Sequence, residues 1–210
     1  MTAIWGPLGW MTLHSVATSY SETPTQTEKT LMNSWLDMFA DTITCPHCQQ
    51  HFKEMLTNYR ARFPGMLSSR QEFAMFTFRA HNAVNRRLNK PMYSTLDECL
   101  ETLRNNTKTR TASDYRVAYI NHITRYWRTL QDITGIVAIK KINEMKKIEI
   151  DYIAPRDTKF QITLRADVVV LPRDILEPNV EQRSGPRIPN VRAPLNAGFR
   201  IGLGGLQLRR

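Results

Sequence analysis

A mainly helical fold is predicted for residues 1–104 of this 210-residue chain by three observations. Apolar residues recur at helical spacing, each such run opens on its own start signal, and no stretch alternates with period two. Trp10, Leu13, His14 and Ala17 fall at i, i+3, i+4 and i+7, one face of a first helix. The second opens after Pro24 on the capping-box pattern Thr25-x-x-Glu28 and turns Leu31, Trp35, Met38 and Phe39 to one side. Cys45 stands at an N-cap position with Pro46 suited to the first helical residue, and the amphipathic run that follows ends near Arg62. Ser69-x-x-Glu72 opens a fourth helix bearing Phe73, Phe76, Ala80, Val84 and Leu88, which must stop before Pro91. Ser94-x-x-Asp97 starts a short fifth.

The rest of the chain reads differently. From Thr111 to about Lys147, the series Val117, Ile120, Ile123, Tyr126, Trp127, Leu130 and Ile133 predicts one or two further helices, interrupted near Gly135. After Ile150 the alternation around Phe160–Leu164 and the run Val168–Leu171 are strand-like, and prolines at 172, 178, 186, 189 and 194 punctuate an extended, partly β tail. Three segments are therefore expected: 1–104, 105–150 and 151–210. The formal charge of +10 belongs to the second half, because residues 1–104 carry ten Lys and Arg against nine Asp and Glu. Gln182 to Arg210 holds six arginines and no acid, interleaved with Pro, Gly and Asn instead of aromatics. That composition suits docking on an acidic protein surface better than stacking on single-stranded nucleic acid. With no run of eighteen apolar residues and no basic-then-apolar leader, neither a membrane span nor a secretory signal is expected.

Three cysteines are too few for a secreted disulfide framework, so the Cys45-Pro-His-Cys48 pair is the chemical feature to explain. A sulfur at a helix N-terminus sits among unpaired N–H groups and the positive end of the dipole, which favours thiolate and hence exchange chemistry. A zinc site built from Cys45, Cys48 and His51 with His81 or Cys99 competes with this reading, as do a thioredoxin-like frame and a pair of inert core thiols. A second cluster, His81-Asn82-x-Val84-Asn85-x-x-Leu88-x-Lys90, mixes polar groups into an apolar stripe, an arrangement a planar heteroaromatic ligand would satisfy.

The motifs W-G-P-x-x-W-x-x-L-H (Trp5 to His14), Tyr20, C-x-x-C (Cys45, Cys48) and H-N-x-V-N-x-x-L-x-K-P (His81 to Pro91) together resemble the FAD-linked sulfhydryl oxidases of the Erv/ALR family. They are most like the versions encoded by large cytoplasmic DNA viruses. The resemblance covers about residues 1–104 and implies a four-helix bundle with a short fifth helix, bound FAD and a homodimer. It also implies a redox pair in which Cys45 exchanges with the substrate thiol and Cys48 faces the flavin. Trp10, His14, Tyr20, His81, Asn82, Asn85, Lys90 and Tyr93 would line the FAD, and no metal is implied. Protein dithiols would be the reductant and oxygen the acceptor. Cys99 has no mate for the family's structural disulfide, and no tail C-x-x-C is present to act as shuttle, so direct oxidation of a partner is expected. A viral member would work in host cytoplasm and virion. The alternative is a structural protein that uses the bundle as scaffold and the basic tail to dock on capsid or nucleic acid.

Overall fold

The computed structural model describes residues 2–164, all within one compact unit, Met1–Pro178. Seven α-helices make up this part: α1 Thr2–Thr18, α2 Gln26–Thr42, α3 Pro46–Arg62, α4 Arg70–Arg87, α5 Leu96–Asn106, α6 Ala112–Trp127 and α7 Ile133–Ile148. The start signals account for where they begin. Thr25 and Glu28 form the reciprocal capping box of α2, and Ser69 Oγ accepts from Glu72 N–H at α4. The expected cap of α5 at Ser94 is one residue early. Thr95 Oγ1 accepts from Glu98 N–H, and the Glu98 carboxylate accepts from Ser94 N–H, so the pair that satisfies the free donors is Thr95-x-x-Glu98.

One core joins α1–α4 with α6 and α7. It contains Leu13 and Val16 from α1, Trp35 and Phe39 from α2, Tyr59 from α3, Phe73 and Phe76 from α4, Tyr119 and Ile123 from α6, and Ile142 and Met145 from α7. A second cluster lies under α5, where Leu96, Cys99, Leu100 and Leu103 meet Met11, Met75, Phe78 and Phe160. The hairpin of α6 and α7 is held from inside by Arg116. Its Nε donates to both carboxylate oxygens of Glu149 at 2.9 and 3.0 Å, and its Nη1 donates to Asp157 at 3.1 Å and to Ser15 Oγ on α1. A guanidinium so deeply buried is stable only while those carboxylates face it.

The interruption expected near Gly135 falls just before it, at residues 128–132. Asp132 caps α7 by accepting from Gly135 N–H, and a Cβ on Gly135 would stand 2.1 Å from the Leu130 carbonyl oxygen. Glycine is required here by close approach. Val117, Leu130 and Ile133, expected on the apolar face, are exposed instead, because the buried face of α6 is Arg116, Tyr119, Ile120 and Ile123 and that of α7 is Gly135, Ala138, Ile142 and Met145.

Past Ile150 the structure differs from the strand-like reading. The helix widens into a π turn, Glu149–Ile153, and then tightens into a 3-10 turn, Ala154–Arg156. Phe160–Leu164 form no strand: Lys159 and Phe160 adopt left-handed φ values of 52° and 63°, and the Phe160 ring is buried under α5 while its carbonyl accepts from Arg104 Nη1 at 3.0 Å. Packing of one anchored ring overrides a two-residue alternation. Val168–Leu171 and the proline-punctuated tail lie outside the described residues. No helix among the described residues is long and apolar enough to cross a membrane.

Candidate active site

Cys45 and Cys48 are joined as a disulfide across the first turn of α3. Cys45 is the N-cap, its sulfur accepting from Cys48 N–H at 3.3 Å, and Pro46 fills the first helical position, where no N–H is needed. Upstream, the Gln49 amide donates to the Asp41 and Ile43 carbonyls at 2.6 and 3.3 Å and ties the α2–α3 turn to the motif. Cys48 is half-buried against the main core. Two sulfurs bonded to each other are not thiolate ligands, so the zinc site drawn from Cys45, Cys48 and His51 has lost its main donors. His51 instead meets His47, with ring centroids 4.1 Å apart, and accepts from Arg87.

Contacts between α3 and α4 fix where the second cluster lies. Tyr59 packs on Phe76 and accepts from Arg79 at 3.1 Å, whereas His51 meets Arg87, so the two helices run antiparallel. Cys48, one turn before His51, is therefore at the end of the bundle where α4 runs past Asn85 to its last residue, Arg87, and leads to Lys90. Helix α1 runs antiparallel to α4 on its other side, as Tyr20 meets Phe73, His14 meets Thr77 and Trp10 meets His81.

Of the eight residues expected to line a cofactor, four converge. Trp10 and His81 stack at 4.2 Å with planes 7° apart, Tyr93 stands edge-on to His81 at 5.4 Å, and His14 Nε2 lies 3.1 Å from His81 Nδ1. The tautomers follow from the partners. Thr77 donates its hydroxyl to the Ala74 carbonyl at 2.9 Å, so its oxygen accepts from His14 Nδ1–H at 3.0 Å. His14 then presents a bare Nε2, and His81 must donate from Nδ1, leaving its Nε2 as an acceptor. Both rings stay neutral: burial pushes His14 well below its ordinary value, aided by His81, and burial with the nearby Lys90 charge lowers His81 to about 4.

The other four make other contacts or lie at the end of α4 beyond His81. The Asn82 amide is occupied by the Tyr93 backbone, donating to its carbonyl and accepting from its N–H at 2.9 Å each, so it pins the loop that carries the Tyr93 ring. Tyr20 lies in the core with its hydroxyl on the Leu67 carbonyl at 3.0 Å, and burial raises its pKa. Asn85 is buried at the end of α4, and Lys90 is exposed beyond it. Stacked aromatic faces, an imidazole acceptor and a cation in series suit a planar ligand that carries anionic groups.

Two members of this site were not singled out as such by the sequence. Thr77 is one turn before His81, and a threonine in a helix gives no signal of its own. Cys99 is free and fully buried, with its sulfur 3.9 Å from His14 Nε2 and its thiol pushed up to about 12 by burial. His14, His81 and Cys99 place their donor atoms within 4.8 Å of one another, the spacing of a metal-ligand set among the described residues. Here the two imidazoles are linked to each other at 3.1 Å, and the Cys99 sulfur lies against His14 Nε2.

Residues 8–110 match the Erv1 / Alr family. An FAD-linked sulfhydryl oxidase of African swine fever virus (isolate Tick/Malawi/Lil 20-1/1983) is 38% identical over 90 residues, which are 43% of this chain and 72% of the relative. A protein of Acanthamoeba polyphaga mimivirus that bears a FAD-linked sulfhydryl oxidase name is 27% identical over 140 residues, 67% of this chain and 96% of its own length. The mitochondrial FAD-linked sulfhydryl oxidase of Saccharomyces cerevisiae is 35% identical over 88 residues, 42% of this chain but only 44% of the yeast protein. No solved structure matches the chain. The disulfide at the head of α3, the neutral histidine pair on α1 and α4 and these relatives agree, and the chain belongs to the Erv1/Alr family.

Proposed function

We propose that the protein is an FAD-dependent thiol oxidase that forms disulfide bonds in partner proteins. The observation that carries this reading is a disulfide set in the first turn of a helix, at the end of the bundle where α4 carries His81 and Asn85 and leads on to Lys90. The donor set fits a flavin dinucleotide. Trp10 and His81 already form a parallel stack that a flavin ring would extend, the tautomer of His81 leaves an acceptor, and Lys90 supplies a cation for phosphate.

In this reading a partner thiolate attacks Cys45 Sγ, the Cys45–Cys48 bond breaks, and Cys48 leaves as thiolate. A second partner thiolate then attacks its own sulfur in the mixed disulfide and releases Cys45, so the partner leaves oxidised by two electrons. Cys45 suits the outer role because it caps the helix, and Cys48 the inner one because it packs against the core. Trp10, His14 and His81 would hold FAD, which would supply two-electron redox chemistry between the reduced cysteines and oxygen, with hydrogen peroxide as the product. His14, His81 and Trp10 hold the ring wall, and Asn82 keeps Tyr93 against it. The homodimer implied by the resemblance, and docking of the arginine-rich tail on capsid or another acidic protein in a virion, extend this reading as proposals.

Oxygen consumption with dithiothreitol tests it. The full chain should consume oxygen and yield peroxide, and Cys48→Ser or Cys45→Ser should abolish consumption. Undiminished turnover in Cys48→Ser would refute the assignment.

A further inference from the structure

Helix α7 is apolar on two faces. One is spent on the core, while Ile133, Ile136 and Val137, with Leu130 in the preceding turn, are turned to solvent; Ile133 is 77% and Ile136 63% exposed. Scattered exposed side chains need no explanation, but four within eight residues at one tip do. The place of that tip in the fold is set by contacts on either side of it. Trp127 Nε1 donates to the Thr42 carbonyl at 2.8 Å, and the chain returns to the same level when Lys141 pairs with Asp41 and Met145 Sδ meets Thr42 Oγ1 at 3.8 Å. Residues 128–140 therefore overhang the end of α2, the end from which the chain passes to Cys45. Three Cα steps separate Thr42 from Cys45, at most about 11 Å.

The surroundings are basic. Arg125, Arg128 and Lys140 are exposed around the tip with no ion-pair partner among the described residues, and the two arginines with Asn121 and Thr124 line an open hollow of about 310 Å³. The one acid at the tip, Asp132, is engaged in capping α7. We infer that the tip of the α6–α7 hairpin is a docking surface for the substrate polypeptide, taking an extended segment with apolar side chains and acidic flanks and so delivering its thiols to Cys45. Charge selects this occupant. The chain's own residues 165–210 carry eight arginines against four acids, and a second copy brings a formal charge of +10, so both meet like charge at the patch. The inference rests on the thiol-oxidase reading and adds to it the class of substrate.

The experiment compares the full chain with the double variant Ile133→Asp, Ile136→Asp, whose side chains lie outside the site that holds the disulfide. Reduced α-lactalbumin, an acidic unfolded chain, serves as protein substrate, reduced lysozyme as its basic counterpart, and dithiothreitol as a small dithiol. In the variant, kcat/KM for reduced α-lactalbumin should fall about tenfold, the size of loss seen when an interface anchor is removed. The rate with dithiothreitol should be unchanged, and wild type should prefer α-lactalbumin to lysozyme. Binding of α-lactalbumin with alkylated thiols, read by fluorescence anisotropy, should weaken in parallel. An unchanged kcat/KM, or an equal fall on dithiothreitol, would overturn the inference. So would a wild-type dimer in sedimentation that the variant dissolves, or a photo-crosslinker at position 136 that captures residues 165–210 of the same chain. If the patch binds alkylated α-lactalbumin but wild type leaves dithiothreitol unoxidised, the oxidase reading fails and the docking surface stands.

Discussion

Thr77 decides which way His14 faces, and through His14 which nitrogen of His81 is left to a ligand. Thr77→Val keeps the shape but removes the acceptor for a buried N–H, and the expected cost is about 1–3 kcal/mol in denaturant unfolding, with weaker flavin retention. Thr77→Ser should restore both. The same pair makes stability depend on pH. Between about 6.5 and 4 the unfolded chain protonates at His81 while the folded chain does not, so stability is full above 6.5 and is lost as pH falls. By pH 5 the loss from His81 alone should be about 2 kcal/mol relative to pH 7.5, and His14 adds to it in the same direction. Denaturant melts at the two pH values check this, and His81→Gln should flatten the slope. His81 itself was legible in the sequence, because a histidine and an asparagine on one helical stripe stand out against apolar neighbours. Thr77 and Cys99 were not, since their part in the site depends on how α1, α4 and α5 are packed.

At the scale of the element, the start signals proved the most informative part of the sequence. A cap is a local contest for a few N–H groups, so Thr25, Cys45 and Ser69 announce their helices without help from the fold. Ser94 misled because Thr95 beside it makes an equally good pattern and Glu98 completes it. The strand-like reading of Phe160–Leu164 failed for the opposite reason: a short alternation is weak, and burial of the Phe160 ring decides the backbone. The turn between α6 and α7 allows a sharp test. Gly135→Ala places a methyl against the Leu130 carbonyl and should destabilise the chain by about 1–3 kcal/mol, read from the unfolding midpoint, with no change in the absorption of bound flavin.

For the whole molecule, the composition change after residue 104 is real, yet α6 and α7 complete the same core as α1–α4. The sequence showed that these helices exist but not which faces they cover, because periodicity gives a helix its buried side without naming what it is buried against. Arg116 is the measure of that union. Glu149→Ala should leave a buried guanidinium short of its partner and cost about 3–5 kcal/mol, and cutting the chain back to residue 110 should expose the core faces of α1 and α2 and give an aggregating product. The central claim is that the disulfide at the head of α3 exchanges electrons with a flavin held by the α1–α4 wall. Anaerobic mixing of the purified protein with dithiothreitol, followed at the oxidised-flavin absorption band, tests it most directly. The band should bleach in wild type and persist in Cys48→Ser; a preparation without the band, or equal bleaching in both proteins, would contradict the account.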